Sequence, residues 1–253
     1  MKTVILCGGT GTRLKEQTDF LPKPLIPIGG VPMVTHIMRH YASYGFKDFV
    51  LALGYKQADF KMYFAHYDLI NNDTTVDIGR WAGSPYHITP DRWRVILSDT
   101  GLNTLKGGRL KRIEKYIQGP TFCCTYGDSI GDINISALVA FHNSHGKMIT
   151  VTGVHPTPRF GELCHEGGKV LSYREKQYED GCLTNGGFYV MNRGIFDYLT
   201  PDCDLEYGVL ELLAAKGELM VYEHTGQWVC MDSLNDLLTI QKLWDDGKAK
   251  WRR

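Results

Sequence analysis

Thr3-Val4-Ile5-Leu6-Cys7, followed at once by Gly8-Gly9-Thr10-Gly11-Thr12-Arg13 and then by Pro22-Lys23-Pro24, decides how the chain is read. A short apolar run that empties into a glycine-rich turn is a buried strand whose end bares backbone N–H groups, and a phosphate can lie against them. Arg13 adds a planar donor fork suited to phosphate oxygens, and Lys23 adds a point charge fixed between two prolines. Bare amides and two cations in one short loop suit a polyphosphate. Other phosphate loops fail on spacing. Counted from Gly9 and Gly11, the third glycine of a G-x-G-x-x-G fingerprint would stand at Leu14, and no G-x-x-x-x-G-K-[ST] occurs in the chain. On the loop alone, an ordinary strand-to-helix connection stays open.

The bulk properties exclude several partners. At 253 residues the chain is long enough for one large α/β domain, expected over 1–253, with a well-buried core. Lys plus Arg and Asp plus Glu both total 28, so no general field draws the protein to nucleic acid or to an anionic membrane. No stretch approaches the apolar length of a membrane span, and the opening MKTVILCGG reads as a strand rather than a leader. Seven cysteines, an odd number with no C-x-x-C pair, point to a reducing cytoplasm, and no close His/Cys spacing suits zinc. Cys7, Cys123 and Cys124 sit in apolar runs, where cysteine behaves as a small hydrophobe.

Strand-length apolar runs alternate with amphipathic stretches, which argues for βαβ units and a three-layer, mostly parallel sheet. Strands are expected at 3–7, 48–53, 92–97, 120–126, 148–154, 169–174, 186–191 and 219–223. Helices are expected from Pro32 to Gly45 and over 57–67, 109–117, 135–145, 206–216 and 233–245. Residues 68–91, rich in Asn, Asp, Gly, Pro and Thr, read as a long loop or insertion. Trp81, Tyr86 and Trp93 suit core or interface packing better than a nucleotide lid. His36, His40, His142 and His145 read as helix-surface residues without a role.

Asp128 follows the apolar run Thr121–Tyr126, which places it at a strand's C-terminal edge, where open parallel sheets bind ligands. Asp232 follows a second short run, Trp228–Met231. Two carboxylates from separate strand ends suit Mg2+, which takes one or two of them together with phosphate oxygens. Two plainer readings stay open: Asp128 as a turn residue, and Asp232 as the cap of the last helix, beside Ser233 and Asp236.

The wider pattern resembles the sugar-phosphate nucleotidyltransferases, in particular their CTP-using branch, over nearly the whole chain. Gly8–Leu14, Leu21–Leu25 and Ile28-Gly29-Gly30 match the family's opening. Asp99-Thr100-Gly101, Gly107–Arg112, Tyr126-Gly127-Asp128, Arg159-Phe160-Gly161, Glu175-Lys176, Asn185–Phe188 and Met231-Asp232 follow in its order. The resemblance implies a Rossmann-like, GT-A-like fold and transfer of a nucleotidyl group from CTP to a small phosphorylated acceptor, glucose 1-phosphate foremost. It further implies Mg2+, a homo-oligomer, and an acceptor-side half over about 155–253. Carried over residue by residue, it places Leu6, Gly8, Gly9, Gly11, Thr12, Arg13, Lys23, Thr104, Arg109 and Asp128 at the nucleotide, with Arg13 and Lys23 catalytic. Tyr126, Glu175, Lys176, Asn185, Gly186 and Gly187 fall to the acceptor, and Asp128 and Asp232 to the metal. On its amphipathic stretch, Arg109 could equally be solvent-facing. Ser129 stands where the family has glycine, Gln177 where it has proline, and the 202–211 stretch diverges. A different phosphorylated or phosphoramidate acceptor, a UTP or dTTP preference, and a non-catalytic nucleotide-sugar sensor therefore remain as rivals.

Overall fold

In the computed structural model, residues 1–11, 14, 18–71, 92–155 and 183–252 are described in full, and 161–166 and 169–175 by their backbone. The first strand, β1 (Thr3–Cys7), is buried along its whole length. A two-residue hairpin, β2 (Pro27–Ile28) with β3 (Val31–Pro32), leads into helix α1 (Met33–Ser43), and Gly45 at φ +88° follows the helix in the left-handed region. Strand β4 (Asp48–Leu53), helices α2 (Gln57–Ala65) and α3 (Tyr67–Asn71), strand β5 (Arg94–Asp99) and helix α4 (Lys106–Ile113) complete the first half.

The second half begins with β6 (Thr121–Tyr126), a three-residue strand β7 (Ser129–Gly131), helix α5 (Ile135–His145) and β8 (Ile149–Val154). The hairpin β9 (Gly161–Glu166)–β10 (Lys169–Glu175) and the long β11 (Thr184–Asn192) follow. Where a single helix was expected over 206–216, the segment Leu205–Leu210 is kinked at Tyr207–Gly208, and only Glu211–Ala215 (α6) is regular. Gly208, at φ +105°, takes the conformation that breaks the helix. Strand β12 (Leu219–His224), the short β13 (Trp228–Cys230) and helix α7 (Leu234–Asp245) close the order.

The main sheet has seven strands in the order β12-β8-β11-β6-β1-β4-β5. Every pairing in it is parallel except those of β11, which runs antiparallel to both neighbours. Alternate residues of each strand point to opposite faces, so Ile5, Cys7, Phe49 and Leu51 pack under α1 while Val4, Leu6, Val50 and Ala52 pack under α4. The expected three-layer α/β class is what the chain adopts. From β1 the chain builds outward to β4 and β5, then crosses back to β6 on β1's other flank. The carboxyl ends of β1 and β6 therefore border a switch point, where a crevice forms in an open sheet. Among the described residues, no helix is long and apolar enough to cross a membrane.

Three of the four histidines expected on helix surfaces are buried instead: His36, His40 and His142. The His36 and His40 Nε2 groups bond the carbonyls of Ile28 (2.9 Å) and Ile133 (2.8 Å), and His142 Nδ1 bonds the Thr150 hydroxyl (2.9 Å). They tie helices to strand ends, a use that helical spacing alone does not reveal. Burial, reinforced by the charge of Arg39, pulls the His36 ring below its ordinary value even though the Ile28 and Val31 backbone works against it. Between about pH 7 and pH 5 the unfolded chain takes up a proton here that the folded chain resists, so stability falls as pH falls. A His36→Gln variant is expected to show a shallower loss of melting temperature over that range; an unchanged slope would remove His36 from the account.

Candidate active site

Leu6, Gly8, Gly9 and Gly11 occupy the end of β1 and the loop after it, at the mouth of the switch point. Gly8 is buried and Gly9 exposed, and Gly11 adopts φ +65°. The end of β6 lies alongside: the Gly127 amide donates to the Leu6 carbonyl at 3.1 Å. A Cβ on Gly127 would press on Pro24 and Cys7, so the crossing of these two loops requires a glycine. Thr12 and Arg13 lie outside the described residues.

Lys23 begins a short 3-10 turn, Lys23–Leu25, and its side chain is largely buried. Its ammonium donates to Asp128 Oδ2 at 2.8 Å and to Asp232 Oδ1 at 2.6 Å. Burial pulls this ammonium down, but the charges and hydrogen bonds of the two aspartates outweigh that and hold it above the usual lysine value. The meeting of the aspartates follows from strand pairing. Asp128 directly precedes β7, Asp232 follows β13 by one residue, and the two strands run antiparallel with Cys230 opposite Ser129. The Met231 amide closes the junction on the Asp128 carbonyl at 2.9 Å. Ser129, the departure from the family's glycine, starts β7 in this ladder and is fully enclosed.

The capping alternative for Asp232 does not hold. Ser233 is the N-cap of α7, with its side chain accepting from the Asp236 amide, and the Asp236 carboxylate returns the bond to Ser233 as a complete capping box. With the cap supplied by its neighbours, the Asp232 carboxylate turns to Lys23. Cys230 joins this group: one ligand atom each from Asp128, Cys230 and Asp232 lie within 4.8 Å of one another. From the sequence, only Cys7, Cys123 and Cys124 were assigned a place, in the core, and Cys230 was given none. The signal that could have found Cys230 is its place at the end of the short apolar run, two residues before Asp232. Burial pushes its thiol well up, and the charges of Asp128 and Asp232 push further. Two carboxylates already gathered around one cation fit a divalent metal by donor type and by spacing.

Arg109 had two readings, a nucleotide contact or a solvent-facing helix residue, and its burial removes the second. It is a buried strut. One Nη donates to the carbonyls of Leu53 (3.2 Å) and Gly101 (2.7 Å) and to the Thr100 hydroxyl (2.8 Å); the other donates to the carbonyls of Gly8 (2.9 Å) and Leu102 (3.1 Å). These bonds clamp the glycine loop to the turn after β5, and a Cβ on Gly8 would overlap the guanidinium. Thr104 stands half-buried in the same turn.

On the other side of β6, Tyr126, Asn185, Gly186 and Gly187 come together. Asn185 Nδ2 donates to the Tyr189 hydroxyl at 2.6 Å, and the Gly187 amide donates to Asn185 Oδ1 at 2.9 Å. The Tyr126 and Tyr189 hydroxyls meet at 2.7 Å, and Tyr126 also donates to Glu206, which Lys106 pairs. Gly187, at φ +76°, sits so close to the Tyr126 ring that a Cβ would collide with it. Burial, then the negative neighbours, hold the Tyr126 hydroxyl strongly protonated, as a donor. Glu175 ends β10, its side chain outside the described residues, and Lys176 lies wholly outside them. Of the three expected aromatics after residue 68, Trp93 packs edge-on against Phe49 at 5.8 Å, while Trp81 and Tyr86 are outside the described residues.

A glycine loop, a lysine and two carboxylates at the switch point of a mostly parallel sheet define a class: an α/β protein able to hold a cation and an anionic ligand side by side. Comparison with known proteins narrows it. The Nucleotidyl transferase family pattern matches residues 2–246, so the chain belongs to the nucleotidyl transferase family. A glucose-1-phosphate cytidylyltransferase of Salmonella typhi is 43% identical over 254 residues, spanning 100% of this chain and 99% of its own length. HddC from Yersinia pseudotuberculosis, solved with GMP-PN, shares the fold at a TM-score of 0.67 and 22% identity, over 96% of this chain and 99% of its own. The inositol-1-phosphate CTP transferase from T. maritima does so at 0.63 and 18%, over 98% and 97%.

The Arg109 strut is open to a double-mutant test. Arg109→Ala is expected to cost about 3 kcal/mol or more by stranding buried carbonyls. Gly8→Ala is expected to cost about 1–3 kcal/mol in the parent through overpacking, and clearly less once Arg109 is Ala. Additive losses on denaturant unfolding would show that the two do not meet.

Proposed function

We propose that the protein transfers the cytidylyl group of CTP to a sugar 1-phosphate, with glucose 1-phosphate the favoured acceptor, releasing pyrophosphate with Mg2+ as the working cation. The observation that carries this reading is Lys23 bridging Asp128 and Asp232 at the switch point, in a chain aligned end to end with a cytidylyltransferase. A phosphate monoester is largely dianionic at neutral pH, so its oxygen attacks the α-phosphorus without a general base. The new O–P bond forms as the bond to the bridging β-phosphate oxygen breaks, and pyrophosphate carries the electron pair away. What the protein must supply is alignment of two mutually repelling anions and neutralisation of the charge that builds on the α-phosphoryl oxygens.

The residues divide that work. The Gly8–Gly11 amides, with Arg13, receive the triphosphate, and the Arg109 strut keeps the loop in place to do so. Lys23 supplies positive charge near the α-phosphate. Asp128 and Asp232 would hold the divalent cation, which supplies a Lewis acid to the phosphoryl oxygens when bound. Lys176 and Glu175 receive the acceptor's phosphate and hydroxyls, with Asn185, Gly186, Gly187 and Tyr126 lining the approach. The Asn185–Tyr189–Tyr126–Glu206 chain of hydrogen bonds fixes that wall in one arrangement. We read 1–253 as one catalytic unit that works as a homo-oligomer in a reducing cytoplasm. The free thiols of Cys7, Cys123, Cys124, Cys203 and Cys230 support the compartment.

Pyrophosphate release measured for CTP, UTP, dTTP and GTP crossed with a panel of sugar 1-phosphates tests the reading. CTP with glucose 1-phosphate is expected to turn over fastest. Faster turnover with another phosphorylated or phosphoramidate acceptor would move the reading to that acceptor. CTP binding with no pyrophosphate from any acceptor would favour a nucleotide-sugar sensor. Lys23→Ala is expected to lower kcat by about 100-fold or more while folding is retained, the size of losing one charge-stabilising donor. Asp232→Asn is expected to raise the divalent-cation concentration needed for half-maximal rate; an unchanged requirement would take Asp232 out of the metal site.

A further inference from the structure

Lys23 and a divalent cation have claims on the same space. The ammonium donates to Asp128 Oδ2 at 2.8 Å and to Asp232 Oδ1 at 2.6 Å, between the same carboxylates, together with Cys230, that gather within 4.8 Å. A divalent ion bound by both carboxylates lies closer to their oxygens than an ammonium does, at about 2.0–2.6 Å depending on the metal. An ammonium held in place would then sit in contact with a doubly charged ion. One cation or the other has to be present, because two adjacent ionised carboxylates with nothing between them repel.

We propose that Lys23 is the resident counter-ion of the Asp128–Asp232 pair, and that a divalent cation displaces it, so that lysine-bound and metal-bound forms of the pair exclude one another. This rests on the reading of that pair as the metal site and adds an order to it: metal entry frees the lysine. The backbone at Lys23 stays fixed in such an exchange. Pro22 and Pro24 flank it, and the Ile26 amide holds the Lys23 carbonyl at 3.2 Å. The side chain alone moves, on a four-carbon stem. Its root lies against the glycine loop: a Cβ on Gly11 would be 3.4 Å from the Lys23 Cβ. An ammonium expelled from the carboxylates is therefore delivered beside the loop that receives the triphosphate. One residue neutralises the empty site and then becomes available to the phosphate. The carboxylates are partly exposed at 28% and 25%, whereas the lysine side chain is 10% exposed, so a cation can reach the pair from solvent.

The test is Mn2+ binding to the nucleotide-free protein, read from the loss of the free-ion EPR signal, in wild type, Lys23→Met and Lys23→Arg. Removing the competitor is expected to tighten Mn2+ binding about tenfold or more in Lys23→Met, the equivalent of one charge-assisted hydrogen bond. Lys23→Arg, which keeps the charge, is expected to stay near wild type. The melting temperature of Lys23→Met is expected to rise more on adding Mn2+ than that of wild type. Equal affinities in all three proteins would overturn the exchange, as would the absence of Mn2+ binding to Lys23→Met at millimolar concentration. Lys23→Gln replaces the Met variant if that protein does not fold. Asp128→Asn placed in the Lys23→Met background separates the two levels: loss of the tightened binding locates it at the pair. Mn2+ binding indifferent to Asp128→Asn would instead refute the metal site on which the exchange rests.

Discussion

Two ionised carboxylates side by side, half out of water, repel unless a positive charge lies between them. In this protein, Lys23 is that charge, and the surrounding structure serves to bring the three groups together. Asp128 and Asp232 lie more than 100 positions apart in sequence, and the short antiparallel pair Ser129–Gly131 and Trp228–Cys230 sets them next to each other. The lysine comes from a third, distant stretch, held by prolines in a turn that packs under the β6 loop at Gly127. Loss of Lys23 would leave two carboxylates uncompensated in a partly dry site, whereas loss of either aspartate leaves a matched ion pair, so the lysine is the member on which the other two depend.

The main sheet explains why this cluster lies where a phosphate ligand can reach it. Strand order places β1 between the outward-building β4–β5 side and the returning β6 side, so the glycine loop and the Asp128 loop open on one crevice. Arg109 then converts an otherwise loose glycine loop into a fixed one, by holding the Gly8 carbonyl and the turn after β5 with one guanidinium. A conformationally permissive loop gains definition from a rigid fork that holds one of its carbonyls.

Much of this was legible in the sequence, and the exceptions have physical causes. Thr3–Cys7, Asp48–Leu53 and Thr121–Tyr126 declared themselves as apolar runs of strand length, and Met33–Ser43 and Ile135–His145 as amphipathic stretches of helix length. Trp228–Met231 showed only as a short apolar run ahead of Asp232, and Ser129–Gly131 did not show at all: three residues have no period, and the pairing of the two spans most of the second half of the chain. Asp128 and Asp232 were singled out by position at the ends of apolar runs and by the family resemblance. Only the structure separated the cap from the carboxylate, because Ser233 and Asp236 had to be seen sharing that duty. The surface reading of Arg109 failed because its partners include the carbonyls of Gly8, Leu53, Gly101 and Leu102, and no side-chain pattern encodes them. The buried histidines share that cause, their partners at Ile28 and Ile133 being backbone oxygens. Thr12, Arg13 and Lys176 lie outside the described residues, so their places in the site rest on the proposed function.

The central claim is that Asp128, Asp232 and Lys23 form the centre at which a cation, a triphosphate and a phosphorylated acceptor are brought together. The most direct measurement is a crystal structure of the protein with Mn2+ and a non-hydrolysable CTP analogue, with the metal located by its anomalous scattering. The account requires an anomalous peak shared by the carboxylates of Asp128 and Asp232, the Lys23 ammonium withdrawn from both and turned to the α-phosphate, and the triphosphate along Gly8–Gly11. A metal peak remote from these aspartates, or a nucleotide bound away from the β1–β6 crevice, would contradict it.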